Sequence, residues 1–193
     1  MAQKRKPDQT KLIAEAALAL AAKSGWEAVT FKDIAKKAKV SAAAVEGAFS
    51  DVWDILQWVL KKLEKDTQAA VEDYLGDDWR DNLAEILMMR FELAQAHRDA
   101  YTSIAPAALR NPQLVRRFAK GFYRTLERML ELAGLQKSKC QPLSVTAFGA
   151  VYISLADTWS KDTTRDLSKT MAAIDKRLDI LEQVMEYLKP LQA

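Results

Sequence analysis

The side chains in this sequence best suited to chemistry are cations, and the chemistry they suit is anion binding. Lys32, Lys36, Lys37 and Lys39 fall within eight residues, and Lys4, Arg5 and Lys6 form a second cluster upstream. Residues 1–50 hold nine Lys/Arg against five Asp/Glu, while the remainder of the 193-residue chain carries a net charge of −1. A basic module on a near-neutral body fits contact with nucleic acid or an anionic membrane surface. Catalytic constellations are scarce. One Cys and one His exclude a CxxC pair, a Cys/His zinc site and an intramolecular disulfide. His97, beside Arg98 and Asp99, reads as a capped or solvated side chain. Asp157, Asp162 and Asp166 have no His or Cys neighbour to complete a metal site. No Ser-His-Asp order, P-loop or GxGxxG occurs. The expectation is a binding protein and not an enzyme, with no cofactor and no metal. A second, apolar set is suited to binding: Trp58, Met88, Met89, Phe91, Phe118, Phe122, Phe148 and Tyr152. These are the expected lining of a pocket for a hydrophobic small molecule or lipid, because apolar spaces between helices host such ligands.

Helices must position these groups. With 6 Gly and 5 Pro, breakers are sparse, and no period-2 alternation is long enough for a sheet. Asp8 is placed to cap a helix to about Lys23, with Leu12, Ile13, Ala16, Ala17, Leu20 and Ala21 on one face and Gly25 as its stop. Thr30 caps a short helix, Phe31 to Lys37, and Ser41 caps another to about Gly47. Asp51 opens a long helix to about Leu75, and Gly76-Asp77-Asp78 breaks the chain and caps the next, to about His97. Pro106 and Pro112 bracket an irregular or one-turn piece. Helices follow over about 113–133, from Ser138–Pro142 to Ser160, and over about 167–189, where Pro190 stops the chain. The fold class is all-α, with about nine helices. Glu127 and Glu131 alternate with Arg124 and Arg128 as expected surface pairs. No apolar run approaches the ~20 residues that span a bilayer. The basic first residues lack the apolar core of a secretory signal, so the expected location, which also suits the lone Cys140, is the cytoplasm.

The order Ser24-Gly25-Trp26, Val29-Thr30-Phe31-Lys32-Asp33-Ile34-Ala35, Lys36-Lys37-Ala38-Lys39-Val40-Ser41, then Val45, Phe49 and Leu56 resembles the DNA-binding head of the TetR family of bacterial regulators. The resemblance implies a helix-turn-helix head over 1–50 and a helical effector-binding and dimerisation body over 51–193. It makes the expected DNA-binding set Lys4, Arg5, Lys6, Thr30, Lys32, Lys36, Lys37, Lys39, Ser41, Ala42, Ala43 and Glu46. The partners it implies are operator DNA, a hydrophobic effector and a second copy of the chain. Where the family usually has Gly before Val-Ser, this chain has Lys39. Where the family's Thr, Tyr and Lys typically hold phosphates, it has Ala44, Glu46 and Val52. Those replacements weaken DNA affinity, since phosphate contacts supply much of it.

At the other end, Trp159, Asp162, Thr170, Asp175 and Arg177 resemble the carboxy-terminal signature of the TetR-fold lipid-binding proteins of ubiquinone biosynthesis. That resemblance implies an alternative function, a lipid- or isoprenoid-binding accessory protein with a degenerate head and a peripheral contact with anionic membrane. The last two helices carry apolar stripes, Phe148, Val151, Tyr152 and Leu155 on one, and Met171, Ile174, Leu178, Leu181 and Met185 on the other. Of these, Val151, Leu155 and the five on the last helix are the expected dimer interface, a four-helix arrangement made by two copies.

Overall fold

The computed structural model describes residues 9–135 and 141–188. Lys4, Arg5, Lys6, Asp8, Ser138, Cys140, Lys189 and Pro190 lie outside the described residues. Among the described residues ten α-helices run in order: α1 (Gln9–Ser24), α2 (Phe31–Ala38), α3 (Ala42–Ala48), α4 (Val52–Val71), α5 (Trp79–Ala94), α6 (Arg98–Thr102), α7 (Ile104–Arg110), α8 (Pro112–Leu132), α9 (Gln141–Lys161) and α10 (Ser168–Leu188). No strand occurs among the described residues. No described helix is long and apolar enough to cross a membrane.

Local chemistry sets several helix starts. Thr30 Oγ1 accepts from Asp33 N–H at 3.2 Å, Ser41 Oγ from Ala44 N–H at 3.1 Å, and Asp51 Oδ1 from Asp54 N–H at 2.8 Å. Asp78 Oδ1 takes the Arg80 and Asp81 amides at 2.8 and 2.9 Å. Gly134, at φ 99°, ends α8 while Leu135 N–H reaches back to the Leu130 carbonyl. The segment between Pro106 and Pro112, expected as irregular or one helical turn, is the second part of α7, and the short α6 precedes it. Pro106 sits in the first turn of α7, where an amide donor is not needed, and Pro112 is the first residue of α8.

The chain forms two compact units, one of residues up to Leu63 with Ala96–Val115, the other of Glu64–Gln95 with the chain from Arg116 on. In the first, Ile13, Ala17 and Ala21 of α1, Ile34 of α2, Val45 of α3, and Ile55 and Leu56 of α4 are buried. Trp26 completes this core. Its ring is 1% exposed and its Nε1 donates to the Ala100 carbonyl at 2.9 Å, satisfying a polar handle that would otherwise be costly to bury. Glu27 pairs with Arg110 at 2.6 Å. In the second unit, α5 and α9 pack on α10, and Leu83, Ile86, Leu87, Phe148, Leu155, Ile174, Leu178 and Leu181 are all buried. Arg80 ties α5 to α10 through Asp179, the Asp175 carbonyl at 3.3 Å and Glu182 at 3.7 Å.

Candidate DNA-binding face and ligand cleft

In the first unit, α2 and α3 form the helix-turn-helix. Ile34, Ala35 and Val45 are buried, and Ala38 and Val40 are half-buried, so small and branched groups allow the two short helices to cross closely. The turn is made at Lys39, whose φ of 56° and ψ of 41° lie in the left-handed region. Lys39 and Val40 both donate their amides to the Ala35 carbonyl. Lys32, Lys36, Lys37 and Lys39 are all exposed, as are Thr30, Ser41, Ala42, Ala43 and Glu46. The described part of the expected DNA-binding set therefore shares one accessible motif. Thr30 and Ser41 already use their side chains as helix caps. Along α3 the exposed side chains are Ala42, Ala43, Glu46 and Ala48, while Ala44 is half-buried. Among them only Glu46 carries a hydrogen-bonding group. Val52, at the start of α4, is half-buried.

In the second unit, the expected pocket residues separate into two groups. Phe91, Phe122 and Phe148 gather on Tyr152, with ring centroids 6.0, 5.7 and 6.3 Å away, and Trp159 stacks on Phe91 at 5.4 Å. Phe91 and Phe148 are sealed in the core, while Met88, Met89 and Phe118 are half-buried. Trp58 belongs to the first unit and is half-buried there. A cleft of about 300 Å³ is lined by different residues: Glu64, Thr67 and Gln68 of α4, Ile86 and Arg90 of α5, and Arg128, Met129, Glu131 and Leu132 of α8. None of the eight residues expected to line a pocket lines this cleft. Phe91 and Phe148 spend their apolar surface on core packing, whereas Phe122 is 38% exposed.

Arg90, which sequence reasoning missed, is the cleft's unusual group. It is 5% exposed, its Nε donates to Tyr152 Oη at 2.9 Å, and its guanidinium carbon lies 5.9 Å from that ring's centre. The available signal was a lone cation inside the apolar run Ile86-Leu87-Met88-Met89-Arg90-Phe91. At the rim, Glu64 pairs with Arg128 and accepts from Thr125 Oγ1 at 2.8 Å. The hydrogen bond and charge of Glu64 hold the Arg128 guanidinium above its ordinary value. Arg128 and Glu127 are thus not simply neighbours on one surface. Arg128 reaches α4, and Glu127 accepts from Gln141 Nε2 at 3.1 Å.

The carboxy-terminal spacing has a packing explanation. Asp162 is 1% exposed. Its Oδ2 accepts from Thr170 N–H at 2.8 Å and Thr170 Oγ1 at 2.7 Å, and its Oδ1 from Thr164 N–H at 2.9 Å and Thr164 Oγ1 at 2.5 Å. Burial pushes this carboxyl up, but the four donors outweigh it and hold the group well below the usual carboxylate range. Trp159 Nε1 donates to Gln95 Oε1 at 3.0 Å, and Arg177 fastens α10 to α9 through Ser154 and Thr158 at 2.8 and 3.1 Å. Asp175 is exposed and takes part through its backbone carbonyl.

The expected interface stripe is placed inward. Leu155, Ile174, Leu178, Leu181 and Met185 are buried within the protomer's own core, Val151 is half-buried, and Met171 is exposed. Periodicity located the apolar stripes, but α9 and α10 pack on each other and α5 adds to the cover of α10. The outward apolar groups are Leu143 and Ile153 of α9 and Met171, Ile180, Val184 and Tyr187 of α10.

A helix-turn-helix is a motif whose second helix can lie in the DNA major groove. Residues 13–51 match the model of the bacterial regulatory proteins of the tetR family. The fold is similar to that of a TetR transcriptional regulator from Nitrosomonas europaea ATCC 19718, with a TM-score of 0.77 and 16% identity over 91% of this chain and 99% of that one. It is also similar to the fatty acid degradation regulator FadR from Bacillus halodurans, with a TM-score of 0.65 and 20% identity over 93% and 96%. A third similar structure is FadR from Bacillus subtilis in complex with stearoyl-CoA, with a TM-score of 0.64 and 20% identity over 89% and 96%. No curated protein matches in sequence. The head thus matches the tetR-family model over residues 13–51, and the fold is similar to that of TetR transcriptional regulators.

Proposed function

We propose that two copies of this chain bind an operator through their heads, and that a small molecule taken up by the body sets whether they do. The observation that carries this reading is the helix-turn-helix itself, with four exposed lysines on and just after α2 and a capped, accessible α3. Lysines at the turn suit phosphates, and α3 suits a groove. Base reading by α3 is thin. Ala42 and Ala43 offer methyl contacts, and Glu46 alone could accept from a cytosine amino group. Affinity then rests chiefly on the backbone contacts. The outward stripe Ile180, Val184 and Tyr187 is the dimer face, and the stearoyl-CoA held by one structural relative makes an effector in the body the natural input. Repression follows if the ligand-free state is the one that fits DNA, so that uptake shifts the population away from it.

Binding-site selection on genomic DNA fragments tests the reading. The expected result is an enriched palindromic motif from the wild-type protein. No enriched motif, at salt low enough for non-specific binding to be seen, overturns it.

A further inference from the structure

We propose that the cleft beside Arg90 takes an organic monoanion of small size, a carboxylic acid with a compact apolar body, and that Arg90 holds its carboxylate. The inference rests on the reading of the body as the effector-binding part and names the chemistry of that effector. A buried guanidinium is costly unless an anion and hydrogen-bond acceptors meet it. Arg90 is buried, yet the acceptor it meets is a neutral phenol, through Nε alone, with no carboxylate in ion-pairing range among the described residues. No buried side-chain nitrogen or oxygen lacks a partner among the described residues. The two terminal nitrogens of Arg90 are therefore open to the cleft that Arg90 lines. With Nε fixed by Tyr152, the free edge is the pair of parallel N–H groups that a carboxylate engages bidentately.

The other charges on the cleft limit the ligand to one negative charge. Glu64 is already engaged by Arg128 and Thr125. Glu131 adds a second carboxylate at the rim, which disfavours a phosphate dianion. Ile86, Met129 and Leu132 supply apolar wall. A volume of about 300 Å³ sits at the small end of ligand clefts and corresponds to roughly ten water volumes. That excludes a long acyl chain lying wholly within it.

Octanoate and phenylacetate, each beside its primary amide, are suitable probes in titration calorimetry and thermal-shift measurements. The expected result is binding of the acids at least about tenfold tighter than the amides. In Arg90→Gln the acid and amide should bind alike, while Arg90→Lys should keep part of the preference. If Arg90→Gln does not fold, Leu132→Trp, which fills the cleft without removing the cation, is the second variant and should abolish acid binding. Equal binding of acid and amide by the wild type, no acid binding, or acid preference surviving Arg90→Gln or Leu132→Trp overturns the proposal. Operator selection on the same preparation separates this inference from the regulatory reading. A DNA motif without acid preference overturns the cleft chemistry alone. Acid preference without a motif overturns the regulatory reading and leaves the site standing.

Discussion

At Lys39 the chain turns from α2 into α3 with a backbone conformation that a side chain disfavours. A β-carbon in the left-handed region costs roughly 1–2 kcal/mol, part of which glycine gives back through its freer unfolded chain. Lys39→Gly should therefore stabilise the head by up to about 1 kcal/mol in urea melts while weakening binding to any DNA, because it removes a cation beside the turn. Stabilisation without loss of DNA affinity would show that Lys39 makes no phosphate contact. Asp162 is the opposite kind of residue, with every hydrogen bond it accepts consistent with its charge. Asn there can accept at one atom only, leaving buried donors unmet, so Asp162→Asn should cost about 3 kcal/mol at neutral pH. The sign of the pH effect follows from the depressed folded value. The carboxylate's contribution is present above the unfolded value of about 4 and is lost as pH falls through the folded one. The stability gap between wild type and Asp162→Asn should accordingly narrow in acid, measured by denaturant melts at pH 7 and pH 3. A gap that widens would contradict the hydrogen-bonded carboxylate.

Among elements, α2 has a single direct test. Replacing Lys36, Lys37 and Lys39 with Ala removes up to three phosphate contacts, and the slope of log affinity against log salt should fall by about 0.9 for each one lost. An unchanged slope would mean that this helix does not lie along the backbone. The helices also show what could be read from sequence. Thr30, Ser41, Asp51 and Asp78 announce helix starts because a capping oxygen acts on amides two or three residues away, a local interaction. Gly134 announces an end for the same reason. The stripe Ile174, Leu178, Leu181 and Met185 was equally legible as a stripe, but its partner was not. A 3.6-residue period states that a face is covered and is silent on whether a neighbouring helix or a second molecule covers it. The cleft was illegible for a related reason. Thr67, Arg90 and Arg128 come from three separate helices, and no local spacing links them. The head's exposed residues were the easier part, since the whole motif lies within about twenty consecutive residues.

For the whole molecule, the proposed dimer face is the outward side of α10. Ile180, Val184 and Tyr187 lie at i, i+4 and i+7 and are exposed. Sedimentation should report twice the 21.7 kDa chain mass, and Ile180→Asp should shift the protein toward the monomer while leaving its helical content unchanged. A wild-type monomer at micromolar concentration would remove this face from the dimer model. The division into two units also has an optical consequence. Of the five tryptophans, Trp53, Trp58 and Trp79 are half-buried, whereas Trp26 and Trp159 are sealed and hydrogen-bonded through their ring nitrogens. One sealed indole falls in each unit. With Phe at the three half-buried positions, a collisional quencher such as acrylamide meets two shielded fluorophores, and removing one or the other assigns the signal that remains. Whichever indole first becomes quenchable on warming identifies the unit that opens first, so the native chain already contains a site-resolved optical probe of each half.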